Sequence, residues 1–252
     1  MKQVLKQEQK LRFESVYSSV FSDMISATAE VCDEAVIQFD KDGVKLCQAD
    51  NALVCVTGFS IPSKAFTTYE ISAPMKVGVS LTTLKEVLKR VKTDRFSFEI
   101  SGGKIVIRTA SGYGNAPLRM MEVPIIEVLN DDIPPIGELK YDKTIDVEKS
   151  HFSDALKDAL LYGDSLEIEA GGNKLVMRGQ SDVGKCEVVV GLKEISTTEK
   201  AKTKFSLEYL QKMRFSGSIK LSLGTDVPAR FEESGNNYEH YYVLAPRVAE
   251  GD

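Results

Sequence analysis

The chain alternates between two hydrophobic periods, and it does so twice. Tyr17, Val20, Phe21, Met24 and Ile25 fall at i, i+3, i+4, i+7 and i+8, which places them on one helical face. The opposite face is Ser18, Ser19, Ser22 and Ser26, small and uncharged. Short β-branched runs then predict strands over 35–39, 44–47 and 53–56, with the turn Asp40-Lys-Asp-Gly43 between the first two. A strand is also expected at 12–16, and another at 76–80. Thr83 with Glu86 three residues on reads as a capping box opening a helix over 84–91, striped by Leu81, Leu84, Leu88 and Val91. Strands over 96–100, 104–109 and 117–123 complete the first half.

The second half repeats the plan. Phe152, Ala155, Leu156, Ala159 and Leu160 form a helix stripe. Strands are expected at 166–170, 174–178 and 186–190, a helix over 207–214, and strands at 219–223, 229–233 and 240–244. Phe152-Ser-Asp-Ala155 echoes Phe21-Ser-Asp-Met24, and Ser206-Leu-Glu-Tyr-Leu-Gln211 echoes Ser80-Leu-Thr-Thr-Leu-Lys85, each roughly 130 positions later, a spacing that marks a repeated unit. The fold class is therefore α+β, with two similar domains, each of antiparallel strands and two helices. The expected partition is an extension at 1–11, a first domain at 12–121, a connector at 122–141, a second domain at 142–248 and a tail at 249–252. The connector holds Pro124, Pro134 and Pro135 together with Val123, Ile125, Ile126, Val128, Leu129, Ile133 and Ile136. Prolines keep it from being helical throughout, and so many aliphatics predict a strap that packs on a surface.

Composition narrows the classes. Hydrophobic content of 42% and charged content of 27% are ordinary for a globular protein. No run approaches the roughly 20 apolar residues of a membrane span. The polar N-terminus MKQVLKQEQK lacks the apolar core of a signal peptide, so a cytoplasmic (or, in a eukaryote, nuclear) location is expected. Cys32, Cys47, Cys55 and Cys186 form no closely spaced pair, and His151 and His240 lie far apart, so neither a metal nor a cofactor is expected. The net charge of −5 argues against a general nucleic-acid coat but leaves room for a local basic face.

One near-match to a chemical motif needs weighing. Gly179-Gln-Ser-Asp-Val-Gly184-Lys185-Cys186 differs from the phosphate-binding loop GxxxxGK[ST] at its last position. That loop needs a hydroxyl for Mg²⁺ and must open a helix. Here a thiol stands last and Glu187-Val-Val-Val190 follows, so a hairpin turn is the better reading and an ATP-binding protein the distant alternative. No Ser/His/Asp, Cys/His or paired-carboxylate spacing marks a catalytic site.

Basic residues recur on the helices instead. Lys85, Lys89, Arg90 and Lys92 lie on or after the second, Lys157 on the third, and Lys212 and Arg214 on or after the fourth. Each alone reads as a solvated surface charge. Together they fit phosphate contacts that carry no base information. The first helix adds none, because no Lys or Arg occurs between Arg12 and Lys41.

The C-terminal run Ser222-Leu-Gly-Thr-Asp-Val-Pro-Ala-Arg-Phe-Glu232, followed by Tyr241-Tyr-Val-Leu-Ala-Pro-Arg247, resembles the end of the DNA sliding clamps of archaea and eukaryotes, the proliferating cell nuclear antigen family. Asp42-Gly-Val44, Val79-Ser-Leu-Thr-Thr-Leu84 and Asp132-Ile-Pro134 are similar to the family at the expected intervals, so the resemblance covers about 13–248. It implies the DNA clamp fold, with subunits assembled as a trimeric ring, helices inside and sheets outside. It implies a non-enzymatic processivity factor that encircles duplex DNA without sequence preference, with a checkpoint clamp subunit as the alternative.

The same resemblance assigns residues. Lys85, Lys89, Arg90, Lys92, Lys157, Lys212 and Arg214 would face DNA. Leu118, Met120 and Glu122 would pair with Cys186, Val188 and Val190 of the next subunit. Val54, Val56, Leu129, Ile133, Pro228, Leu244, Ala245 and Pro246 would form a pocket for short hydrophobic peptides of DNA polymerase, clamp loader, flap endonuclease and DNA ligase. Ala49 stands where the family can carry a methionine, which changes the pocket's depth. The first helix, which lacks positive charge, points either to a homotrimer leaning on its other helices or to a subunit of a heterotrimer.

Overall fold

The computed structural model describes residues 10–15, 19–90, 95–109, 119–128, 133, 136, 139–191 and 200–247. The chain divides into two units, each built from separated segments. The first gathers Met1–Gln48, Gly58–Asp131 and Gly235–Glu239; the second gathers Ala49–Thr57, Asp132–Ser234 and His240–Asp252.

The first unit contains β1 (Leu11–Ser15), α1 (Ser19–Thr28), β2 (Glu34–Asp40), β3 (Gly43–Ala49), β4 (Cys55–Pro62), β5 (Thr68–Ile71), β6 (Met75–Ser80), α2 (Leu81–Lys89), β7 (Phe96–Ser101), β8 (Lys104–Thr109) and β9 (Arg119–Pro124). The start of β4 clusters with the second unit. Antiparallel strands run β5-β1-β7-β8-β9 in one sheet and β6-β2-β3-β4 in the other. Alternation explains the strands: β6 buries Met75, Val77 and Val79 and turns Lys76 outward. Phe13 of β1 is fully buried, its ring 4.7 Å from Phe98 and 5.4 Å from Phe21 of α1, so one aromatic joins sheet to helix.

The second unit contains β10 (Lys143–Val147), α3 (Lys149–Ala159), β11 (Ser165–Gly171), β12 (Lys174–Ser181), β13 (Gly184–Gly191), β14 (Ala201–Ser206), α4 (Leu207–Lys212), β15 (Ile219–Leu223), β16 (Ala229–Gly235) and β17 (Tyr238–Leu244). Strand orders β10-β15-β16-β17 and β14-β11-β12-β13 reproduce β1-β7-β8-β9 and β6-β2-β3-β4. The duplication extends to single hydrogen bonds. Leu81 N, opening α2, donates to Asp33 O at 2.8 Å, and Leu207 N, opening α4, donates to Asp164 O at 2.8 Å.

Several local expectations change. The helix after β6 begins at Leu81, capped by Ser80, whose hydroxyl accepts from Thr83 N; Glu86 pairs with Lys89 instead of closing a box with Thr83. The strand expected at 53–56 runs from Cys55 to Pro62. β5, β10 and β14 escaped the pattern reading because lysines, threonines or glutamates fill their alternate positions. The segment 179–186 is a hairpin, with Gly179 opposite Cys186 and Ser181 opposite Gly184. Gly179 has a packing reason: a Cβ there would stand 2.7 Å from Ala159 Cα, so α3 rests directly on β12.

His240 is fully buried beside Tyr242 (4.6 Å between rings) and Phe215 (6.3 Å), and neither ring nitrogen has a hydrogen-bond partner. Burial holds its pKa down at about 4, against 6.5 in an exposed histidine. The unfolded chain therefore takes up a proton that the folded chain refuses. Stability is whole above pH 6.5 and declines as pH falls toward 4, by on the order of 3 kcal/mol. Urea unfolding between pH 8 and 4.5 is expected to show this loss, and His240→Phe is expected to flatten it.

Candidate functional sites

Among the described residues six strands end a sheet, β5, β6, β9, β10, β13 and β14. β9 and β13 are terminal in their sheet orders, with no second partner among the described residues. Met120 on β9 is 62% exposed and Val189 on β13 is 48% exposed. Glu122 is held by Lys104 at 2.6 Å. Cys186, Val188 and Val190 are half-buried and alternate with exposed Lys185, Glu187 and Val189. An open edge offers a row of unpaired backbone donors and acceptors to another strand. Leu118 lies outside the described residues.

The basic residues occupy helix ends. Lys89, Lys157 and Lys212 sit in the last turns of α2, α3 and α4, where a cation offsets the helix dipole. Each has a carboxylate three or four residues back: Glu86, Asp154 at 3.1 Å and Glu208 at 2.9 Å. Such exposed pairs contribute roughly 0–1 kcal/mol and are given up at little cost. Lys85 is different: its Nζ lies 2.8 Å from Glu30 and only 20% of the side chain is exposed, so its charge is largely spent within the unit. Arg90 is exposed, and Arg214 reaches Gln211 O at 3.1 Å. Between α3 and α4 a cleft of about 300 Å³ has Phe152 and Leu156 in its lining and Lys149, Lys157 and Arg214 around it. α1 carries one charged residue, Asp23. Lys92 lies outside the described residues.

A third cluster forms in the second unit from three distant segments. Val54 O accepts from Ala245 N at 2.9 Å, Arg247 N donates to Lys204 O at 2.7 Å, and Asp226 N donates to Lys202 O at 3.4 Å. The loop before Pro228 and the tail 245–247 thus meet β14 two residues apart. Arg247 pairs with Asp164 at 2.6 Å and holds that carboxyl below its usual range. Val54, Pro228, Ala245 and Pro246 are partly exposed. Val56 and Leu244 are corrections: at 4% and 0% exposure they are core, not lining, because β4 and β17 turn them inward. Ile133 is half-buried, and Leu129 lies outside the described residues.

The connector's start is anchored in the first unit. Ile126 N donates to Gly78 O at 2.9 Å, and a Cβ at Gly78 would stand 2.2 Å from Ile126 O. Ile125 packs on the core.

Sequence reasoning missed Asp50, Tyr209 and Asp164. Asp50 has a local signal, Asp50-Asn51 before a β-branched run; its link to Tyr209, 159 positions on, has none. No group of His, Cys, Asp and Glu among the described residues is arranged to hold a metal, and no described helix is long and apolar enough to cross a membrane.

Residues 10–99 match the family model of the proliferating cell nuclear antigen N-terminal domain. The DNA polymerase sliding clamp of Thermofilum pendens is 30% identical over 238 residues, covering 89% of this chain and 94% of the relative. That of Pyrococcus furiosus is 27% identical, covering 94% and 99%. Among solved structures, the clamp antigen of Thermococcus kodakaraensis superposes with a TM-score of 0.84 at 18% identity, covering 94% of this chain and 100% of that one. The A. fulgidus antigen bound to the C-terminal region of FEN-1 gives 0.83 at 19%, covering 96% and 100%. At such identities the structural likeness is one of fold.

Gly78→Val is expected to lift the connector from β6 at a cost of about 2 kcal/mol, because the displaced atom is backbone; guanidinium unfolding measures it.

Proposed function

The chain belongs to the DNA polymerase sliding clamp family, and from that premise we propose that it is a replication processivity clamp whose copies, three to a ring, join edge to edge around duplex DNA. The observation that carries the reading is the pair of open edges, β9 and β13, on two units of one topology. Unlike edges on one chain make a head-to-tail interface, which closes into a ring when the rotation permits. Backbone pairing supplies the join, and Met120, Cys186, Val188 and Val190, with Leu118 beyond the described residues, supply its apolar part.

Lys89, Arg90, Lys157, Lys212 and Arg214, with Lys92, face the DNA and meet phosphates without reading bases. Lys85 contributes less, because Glu30 already holds it. The clamp makes and breaks no covalent bond; encirclement gives retention, and weak phosphate contacts allow sliding. Clients dock a hydrophobic peptide on Val54, Pro228, Ala245 and Pro246, together with Ile133 of the strap; Leu129 lies outside the described residues. DNA polymerase, clamp loader, flap endonuclease and ligase are the proposed clients, and the site of action is the cytoplasm beside the nucleoid.

Light scattering of the full chain tests the assembly. A mass near three times 27.8 kDa is expected, falling to 27.8 kDa for Val188→Asp with Val190→Asp. A chain that stays monomeric alone, and gains no mass when mixed with other clamp subunits, overturns the ring. For the DNA face, Lys89→Glu, Lys157→Glu and Lys212→Glu are each expected to weaken binding to a short duplex. Each is also expected to make the salt dependence shallower by about 0.9 in log–log slope, as measured by fluorescence anisotropy.

A further inference from the structure

The turn between β3 and β4 is closed by two backbone hydrogen bonds, Asp50 N to Cys55 O at 2.9 Å and Leu53 N to Asp50 O at 3.0 Å. Asn51, Ala52 and Leu53 are exposed, and Leu53 sits at φ 56°, a left-handed conformation unfavourable for a branched side chain. The Asp50 side chain adds three more bonds. Its Oδ1 accepts from Val54 N at 2.8 Å and Cys55 N at 2.7 Å, and its Oδ2 accepts from Ala52 N at 3.3 Å. A carboxylate that organises three amides does so only while its own plane is fixed.

Tyr209 of α4 fixes it. The phenol donates to Asp50 Oδ2 at 2.7 Å across 159 positions of sequence. The tyrosine is in turn steadied by Lys212, whose Nζ lies 4.9 Å from the ring centroid and 2.9 Å from Glu208. At the far end of the turn, Val54 O accepts from Ala245 N. One line of hydrogen bonds thus runs from α4 through Asp50 and Val54 to the tail.

We propose that Tyr209 is a positioning residue for the client-peptide pocket: its hydroxyl orients Asp50, Asp50 shapes the turn that presents Val54, and Val54 seats Ala245. The proposal rests on the assignment of Val54, Ala245 and Pro246 to that pocket. The occupant is a short peptide with hydrophobic anchors, and Tyr209 acts on it only through Asp50. A rim already shaped costs less to order when the peptide arrives, and the gain appears mainly as slower dissociation.

The probe is a fluorescein-labelled peptide from the C-terminal region of FEN-1, titrated into the full chain. Tyr209→Phe, which removes only the hydroxyl, is expected to weaken binding about tenfold, mostly through faster release. The ¹H–¹⁵N resonances of Val54 and Cys55 are expected to shift while the melting temperature stays close to the parent's, a signature that general loosening does not produce. In an Asp50→Ala background the same substitution is expected to change affinity no further. Ala245→Asp serves as the pocket control and is expected to abolish binding. If it does so while Tyr209→Phe binds like the parent, the positioning role is overturned and the pocket stands. If neither substitution matters, or the parent does not bind, the pocket assignment fails and the proposal fails with it.

Discussion

Every backbone N–H and C=O in a sheet needs a partner, and the rest of this protein's behaviour follows from where that requirement is left unmet. Inside each unit the strands satisfy one another, closing two antiparallel sheets against a pair of helices. The ladder stops at the terminal strands of each sheet, β9 and β13 among them. An edge of this kind is a hazard in a monomer and a connector in an assembly. Both strands carry modest apolar side chains beside exposed charges, Glu122 on one and Lys185 and Glu187 on the other. That composition suits pairing with one defined partner better than indiscriminate stacking.

Duplication explains how one chain comes to own two different edges. The units share strand order and the bond that opens each second helix on a residue five positions past the end of the first, Asp33 and Asp164. They differ in detail: β5 pairs with β1 and has no counterpart beside β10, the first unit gathers several phenylalanines around Phe13, and the second buries His240 on β17. Shared topology preserves the architecture while the faces of the two units diverge.

The helices show how weak local electrostatics can serve a sliding function. Lys89, Lys157 and Lys212 each rest on an acid one turn back. A lysine so placed is neither buried nor committed, and giving up such a pair costs little. Lys85, half-buried against Glu30, has instead been drawn into holding α2 near α1. Tyr209 adds a second use of α4: with Lys212 over its ring, it holds the turn after β3 through Asp50.

The amino-acid sequence alone determined the periodic elements, the duplication, the hairpin at 179–186 and the family, because each is written in neighbours along the chain. A helix stripe or an alternating strand records which face is buried, and Gly, Asp and Asn record where the chain turns. The C-terminal run from Ser222 to Arg247 likewise keeps its order whatever the fold does with it. Tertiary structure decided what those elements do to one another. It turned Val56 and Leu244 into core, paired Lys85 with Glu30, made Gly179 the seat of α3 and brought Tyr209 to Asp50. Such contacts join residues far apart in the chain, so they depend on how sheets and helices pack, a relation that no local periodicity encodes.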